Sequence, residues 1–526
     1  MPFNPRSAFK PLIYPAFRSL WIATLISTIG TWMQSVSAAW VMTGLTTSTI
    51  MVALLQSASS LPTVFFSIPG GAIADIVDRR KLMIGIQLFM AIMGMLMTGC
   101  YFAGLLTPWL LLFFTFSIGI GTALYSPAWF ATTPALVPPE DLSEAITLNG
   151  IAVNASRAIG PAIAGVIISI YSPGLAFALN TVSFLALALA LLRWKYIQPK
   201  GTLPGERFIG GMKAGLRYVR QSPHMHKIFL HAAGFFLSAS ALWALMPLVA
   251  RHELHLTATG YGVLLTSMGL GAVFGAFFLP MVRSSISRNM MVLVASLGYA
   301  SSLLVLGNVP SIVFANLAML IAGISWISAV SSLHVTAQTS TASWVRARAL
   351  AVYLTILFGG MGFGSIIWGN IAEWTGVPNA LLIAGITLLL VSLSLYRIPL
   401  PKIDNSDFEP SPHWGEVTLG YGTEYDEKPV MVQVEYIVSE EDETAFLAAI
   451  QNLESLRRRD GAIFWGVYHG VEEKHTFTEY FLVESWLEHL RQHERVTKGD
   501  KRQYDKVRAF HKGEKAPRVT HWLARA

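Results

Sequence analysis

Long apolar runs separated by short polar breaks fill the first three quarters of the chain. They fall at roughly 17–43, 49–74, 82–104, 108–131, 143–170, 173–193, 226–250, 259–282, 289–307, 310–338, 346–372 and 377–398. A helix needs about 20 residues to cross the hydrocarbon of a bilayer. Only helices and closed barrels satisfy the backbone there, and these runs are too long and continuous for barrel strands. The pattern predicts an all-α polytopic membrane protein with twelve transmembrane helices. A polar segment at 194–225 divides it into a six-helix lobe over 1–193 and a second over 226–402. A linker, 403–427, then leads to a segment of different texture over 428–526.

Composition agrees with a bilayer as solvent. The chain is 53% hydrophobic and 13% charged, with mean hydropathy +0.51, against about 25% charged for a soluble domain. Residues 1–402 hold 22 Lys and Arg against 8 Asp and Glu, whereas 403–526 hold 16 against 23. With the N-terminus inside, the predicted inner segments carry 20 cations and the outer loops one, Arg251; the last, Arg157, falls within the fifth span. That asymmetry orients both termini to the cytoplasm and accounts for the basic balance without nucleic acid. Cys100 is the sole cysteine, so no disulfide forms within the chain. Met1–Leu20 lacks an apolar core followed by a small-residue cleavage site, so the first span serves as its own insertion signal. No G-x-x-x-x-G-K-[ST] occurs, which argues against ATP-driven transport, and no cofactor is expected. Within 210–223, Met212, Leu216, Tyr218 and Val219 line up approximately beside Lys213, Arg217 and Arg220. This reads either as an amphipathic helix on the inner leaflet or as a solvated linker.

Six spans plus six is the plan of a two-lobed transporter. Gly71 precedes Arg79 by eight residues after the second span, and Gly275 precedes Arg283 by eight after the eighth. The fifth and eleventh spans carry matching small residues, Gly160, Pro161 and Gly165 in one and Gly359, Gly360 and Gly364 in the other, which permit close helix approach. The stretch GAIADIVDRRK (71–81) resembles the signature between helices two and three of the major facilitator superfamily. Ile76 replaces a customary basic residue and Asp78 a customary glycine. Stretches 126–165 and 323–353 are similar to the branch called transmembrane secretion effectors. The resemblance spans about 15–400. It implies alternating access, export of small amphipathic molecules such as drugs, siderophores or secondary metabolites, and proton antiport. It also makes Gly71, Asp75, Arg79 and Arg80 a gating motif. An importer, or a sensor or oxygenase anchored through the C-terminal segment, are the alternatives.

Charge inside a membrane is costly and by default functional. Arg157 reads as a counter-charge for an anionic substrate or as a structural cation bonded to neighbours such as Asn154. The resemblance places the cavity among spans one, four, seven and ten, which here carry Trp32, Gln34, Tyr125, Trp129, Trp243 and Trp326. No Asp or Glu lies mid-span. Proton coupling therefore falls to His231, His334 or Glu144, each of which reads equally as a packing or interfacial residue. Glu373 is the other interfacial carboxylate.

In the last segment, 428–438 reads as a strand and 439–461 as a helix that opens on Ser439 and stops at Gly461. Strands near 462–471 and 475–484, helical stretches from 485 and 499, and a strand at 518–524 complete a βαββαβ order, a small ferredoxin-like α+β domain. It resembles the antibiotic-biosynthesis-monooxygenase type, which implies a homodimer through the sheets. His489 and His493 share a helix face but lack the intervening acid of H-E-x-x-H, and no metal site is expected.

Overall fold

The polar breaks become helix boundaries in the structure, a computed structural model that describes residues 9–194, 215–283, 285–342, 344–401, 411 and 428–524. Twelve long helices follow one another: α1 (Pro15–Leu45), α2 (Thr49–Ile76), α3 (Arg79–Phe102), α4 (Pro108–Thr132), α5 (Leu142–Ile170), α6 (Pro173–Arg193), α7 (Pro223–Leu248), α8 (Ala258–Arg283), α9 (Arg288–Asn308), α10 (Ile312–Thr339), α11 (Arg346–Thr375) and α12 (Val377–Tyr396). Thr107, Ser172 and Ser287 cap α4, α6 and α9 by accepting backbone N–H bonds, and prolines open α1, α4 and α6, where a missing N–H costs nothing. A single residue, Gly376, separates α11 from α12. Its φ of +86° is one that glycine adopts without steric cost.

Among the described residues eleven helices, α2 to α12, are long and apolar enough to cross a membrane. α1 is 31 residues long but diluted by Ser27, Thr28, Thr31, Gln34, Ser35 and Ser37. The expected count of twelve therefore rests, for α1, on length and packing.

The chain divides into two compact units. The first joins Met1–Thr202, Phe229–His334 and Tyr353–Pro399. In it α1 packs on α5 and α6, α2 on α4, α3 on α4 and α6, and α9 on α12. α5 also packs on α8, so the first six helices meet the last six. There the backbones touch almost bare: a Cβ added at Gly262 would lie 2.7 Å from the Pro161 carbonyl oxygen and 3.0 Å from Gly165 Cα. At Gly269 it would lie 2.5 Å from Ala158 Cα. This is the close approach that the small residues of the fifth span predict.

The second unit joins Leu203–Ile228, Val335–Val352 and Leu400–Ala526. Its centre is a four-stranded antiparallel sheet, β1 (Val430–Ile437), β2 (Ala462–His469), β3 (Thr476–Val483) and β4 (Arg518–Leu523), in the order β2-β3-β1-β4. Helices α13 (Glu443–Asp460), α14 (Trp486–Arg495) and α15 (Lys498–Arg508) complete it. Burial alternates along β1 and β3, as one covered sheet face requires. Val434, Tyr436, Phe446, Ile450, Leu453 and Phe477 form its main core. Residues 215–220 are helical in this unit, with Tyr218 and Val219 buried and Leu216 exposed. Most of the expected loop and linker, 195–214, 402–410 and 412–427, lies outside the described residues.

Candidate functional site

Four helices of the first unit bring four of the predicted cavity residues together. Trp32 of α1 faces Trp243 of α7 at 5.9 Å between ring centroids, and Trp243 meets Trp326 of α10 edge-on at 5.6 Å. Arg157 of α5 lies over the Trp32 ring at 5.7 Å. The indole N–H of Trp243 and the Arg157 Nε are buried without a hydrogen bond. Phe235, Phe236 and Tyr299 pack around Trp326, and Tyr299 donates its hydroxyl to the Ala239 carbonyl at 3.1 Å. Aromatic pairs of this kind contribute about 0.5–1.5 kcal/mol beyond burial. The result is an apolar aromatic wall with the Arg157 Nε and the Trp243 indole N–H left unbonded beside it.

The other predicted cavity residues turn elsewhere. Gln34 is buried between α1 and α6, where its Oε1 accepts a 2.5 Å bond from Asn180. Asn154 does not reach Arg157; it donates to the Gly150 carbonyl one turn back. Tyr125 stacks on Trp129 at 6.3 Å beside the Phe17–Leu20 core.

The three titratable candidates stand apart from one another. His231 Nε2 lies 2.9 Å from the Ile398 carbonyl and lines a small pocket with Asn289, Ser296 and Ser392. His334 meets Tyr353 edge-on at 5.8 Å. Glu144 sits in the first turn of α5 with one carboxylate oxygen buried and unbonded.

In the basic motif, Asp78 caps α3 by accepting from Lys81 N–H at 3.0 Å. Arg79 donates to the Ala131 carbonyl at 3.0 Å, and Arg80 to the carbonyls of Leu191 and Leu192. Both arginines thus satisfy the exposed carbonyl ends of α4 and α6, where cations are favoured. Gly71 faces Pro127 of α4, 3.9 Å from an added Cβ. Asp75 lies in α2, its side chain outside those described.

A second set of contacts, not assembled by the sequence reading, ties the first six helices to the last six at one end of the unit. Glu373 of α11 accepts from Thr49 N–H (2.7 Å), Thr49 hydroxyl (2.5 Å), Ile50 N–H (3.2 Å) and Ser48 hydroxyl (3.4 Å) at the start of α2. Arg251, beyond α7, donates to Thr43 at 3.1 Å and covers Trp40 at 5.1 Å. Thr259 of α8 donates its N–H and hydroxyl to Ser169 of α5. The sequence signals were that Arg251 is the one outer cation and that Glu373 is an interfacial carboxylate; neither named its partner.

In the C-terminal domain, Glu479 is fully buried and held by Arg457 (2.9 and 3.1 Å) and the Trp465 N–H (3.0 Å). His489 packs against His493 and His521 at 4.6 and 4.8 Å between ring centroids, with Nδ1 3.3 Å from Gln492 Oε1. Burial first, then the two neighbouring imidazoles, push His489 down to about 3. Among the described residues no group of three or more His, Cys, Asp or Glu is arranged to hold a metal ion.

Comparison with known proteins gives this geometry a lineage. The model of a family described as transmembrane secretion effector matches residues 6–526. The enterobactin exporter EntS of Escherichia coli O1:K1 is 28% identical over 408 residues, covering 75% of this chain and 96% of the exporter. The EntS of Shigella boydii serotype 18 matches to the same extent, 28% over 75% and 96%. Among solved structures, a bacterial homologue of the human lysosomal transporter Spinster, inward-facing and unoccupied, shares the fold with TM-score 0.57 and 15% identity over 75% of this chain and 97% of that one. The nucleoside transporter NupG does so with TM-score 0.59 and 12% identity over 73% and 98%.

Proposed function

Since the chain belongs to the transmembrane secretion effectors of the major facilitator superfamily, and is an integral multi-pass membrane transporter rather than an enzyme, we propose that it exports small amphipathic anions from the cytoplasm. The observation that carries this reading is Arg157, set against the Trp32–Trp243–Trp326 wall with its Nε unbonded. A planar, acidic aromatic such as a catecholate would stack on the indoles and take the guanidinium as its counter-charge. The exporter names of the relatives support the direction.

In this reading α1–α12 span the inner membrane as two six-helix lobes with both termini cytoplasmic, as the cation asymmetry favours. The end fastened by Glu373, Arg251 and Thr259 is then external, so the site waits for cargo from inside. Cargo binding and release of that end would be the two halves of alternating access. Proton coupling would run through His231, His334 or Glu144, with Asp75, Arg79 and Arg80 timing the change of state. The homodimer implied by the resemblance of the C-terminal domain would use the uncovered sheet face, where Tyr468, Tyr480 and Phe464 stack.

Inside-out vesicles test the proposal. Energised vesicles should accumulate a labelled catecholate siderophore, and a protonophore should abolish the accumulation. No gradient-dependent uptake of that siderophore or of anionic amphipathic dyes would sink it.

A further inference from the structure

Three stretches far apart in the sequence interlock in the second unit: 215–220, 341–348 and the α13–α15 side of the C-terminal domain. Arg217 reaches Glu488 of α14 (Nη2 to Oε1, 3.0 Å) and the Arg459 carbonyl (3.4 Å). Arg495 holds the same Glu488 at 2.6 Å and the Asp460 carbonyl at 2.9 Å. Arg459 pairs with Asp460 (2.9 Å) and Asp500 (2.7 Å). Three cations therefore face three anions. Tyr218 and Trp344 meet edge to face at 5.7 Å, with Arg459 over the first ring at 5.5 Å and Arg495 over the second at 4.6 Å. Ala342 N–H donates to the Tyr218 hydroxyl at 3.3 Å. Gly461, at φ +135°, passes beneath the Arg217–Glu488 pair, where an added Cβ would come 3.0 Å from the carboxylate and 3.3 Å from the guanidinium.

Such an assembly is a joint rather than a loose contact. Tyr218, Asp460, Arg495 and Asp500 are each less than 5% exposed. Parting the surfaces would strand buried charges, which is strongly unfavourable when one partner is removed. The stretches gripped are not free peptides. Residues 215–220 run into α7, and Thr341, Ala342, Trp344 and Val345 lie between the end of α10 and the start of α11.

We infer that the C-terminal domain is a brace. It presents a built surface for the start of α7 and the α10–α11 connection, and by holding both it makes those helix ends move as one body. The partner this surface fits is the chain's own cytoplasmic face, which makes the domain a structural part of the membrane protein and not a module trailing on a linker.

The test uses the full chain in detergent, with a protease site placed within 412–427. After cleavage, the 428–526 fragment should stay with the rest of the chain through size-exclusion chromatography. Arg217→Glu and Trp344→Ala should each release it, at least ten times faster than the unmutated protein, while Leu216→Glu, at an exposed position, should not. In the uncut chain, Arg217→Glu should raise hydrogen–deuterium exchange at least tenfold in 223–230 and 336–350. Release of the fragment by cleavage alone, or its retention in both Arg217→Glu and Trp344→Ala, would overturn the joint. Unchanged exchange in Arg217→Glu would overturn the brace. Neither readout involves cargo, so the inference stands or falls independently of the export reading.

Discussion

Replacing Gly262 with alanine puts one methyl group where α5 and α8 leave no room for it. The new Cβ would sit 2.7 Å from the Pro161 carbonyl oxygen and 3.0 Å from Gly165 Cα, both backbone atoms that cannot swing aside. Relief needs a separation of about half an ångström along the crossing. Overpacking of this kind typically costs about 1–3 kcal/mol. Because α5 belongs to the first six helices and α8 to the last six, that cost falls on the state in which they touch. It converts to about a 5- to 150-fold shift toward the parted state. Spin labels at Thr47→Cys and His252→Cys, in a Cys100→Ser background, would read the separation at the end fastened by Glu373. The long-distance population should grow in Gly262→Ala. Gly99→Ala is the control, since nothing lies within 4 Å of its added Cβ. An unchanged distance distribution in Gly262→Ala would refute the argument that this bare crossing sets the closed state.

Other outcomes follow from the same geometry. Arg157→Gln should raise the KM for an anionic siderophore about tenfold or more while leaving a neutral dye unaffected, as read by vesicle uptake. Glu373→Ala removes a cluster of exposed, charge-assisted bonds worth about 0.5–1 kcal/mol, so the same spin-label pair should show a two- to fivefold gain in the parted population. Glu479→Ala strands buried Arg457, a loss of about 3–5 kcal/mol, and should lower the unfolding temperature of the C-terminal domain by more than about 10 °C in calorimetry; the Arg457→Met/Glu479→Leu pair should lose much less. The folded domain keeps His489 neutral down to about 3 and lowers His521 by burial. The unfolded chain takes up those protons from about pH 6.5, so stability should fall as pH drops through 6.5 toward 4.5. Glu488, against the cost of burial, is held low by Arg495 and Arg217; its contribution is lost only at lower pH and is fully present through that window. His489→Gln/His521→Gln should flatten the slope there.

Helix positions were legible because apolar length and polar breaks are local signals. Ser172, Pro173, Thr107 and Pro108 mark boundaries that the structure keeps. The α+β order of the last segment was legible for the same reason: alternation in 430–437 and the stop at Gly461 are written in consecutive residues. The tryptophan wall was legible only through the resemblance, which assigned the helices that meet. What failed to show were pairings across long separations. Nothing near Gln34 announces Asn180, and nothing near Glu373 announces Thr49. Likewise, 210–223 reads on its own either as an amphipathic helix or as a solvated linker, but Tyr218 is covered by Ala342 and Trp344, more than a hundred positions away, and Val219 is buried, while Leu216 is exposed. A pattern reveals that a face will be covered; it does not name the cover.

The one-residue connection at Gly376 carries a practical consequence. With no slack between α11 and α12, any lengthening of that turn would tilt one helix against the other and pull Glu373, three positions upstream, off the start of α2. Epitope tags and reporter insertions placed there should therefore act as mutations of the transport cycle rather than as silent labels. The five residues between α3 and α4, 103–107, with Gly104 also at positive φ and open space around it, offer a turn where an insertion can report on the protein without steering it.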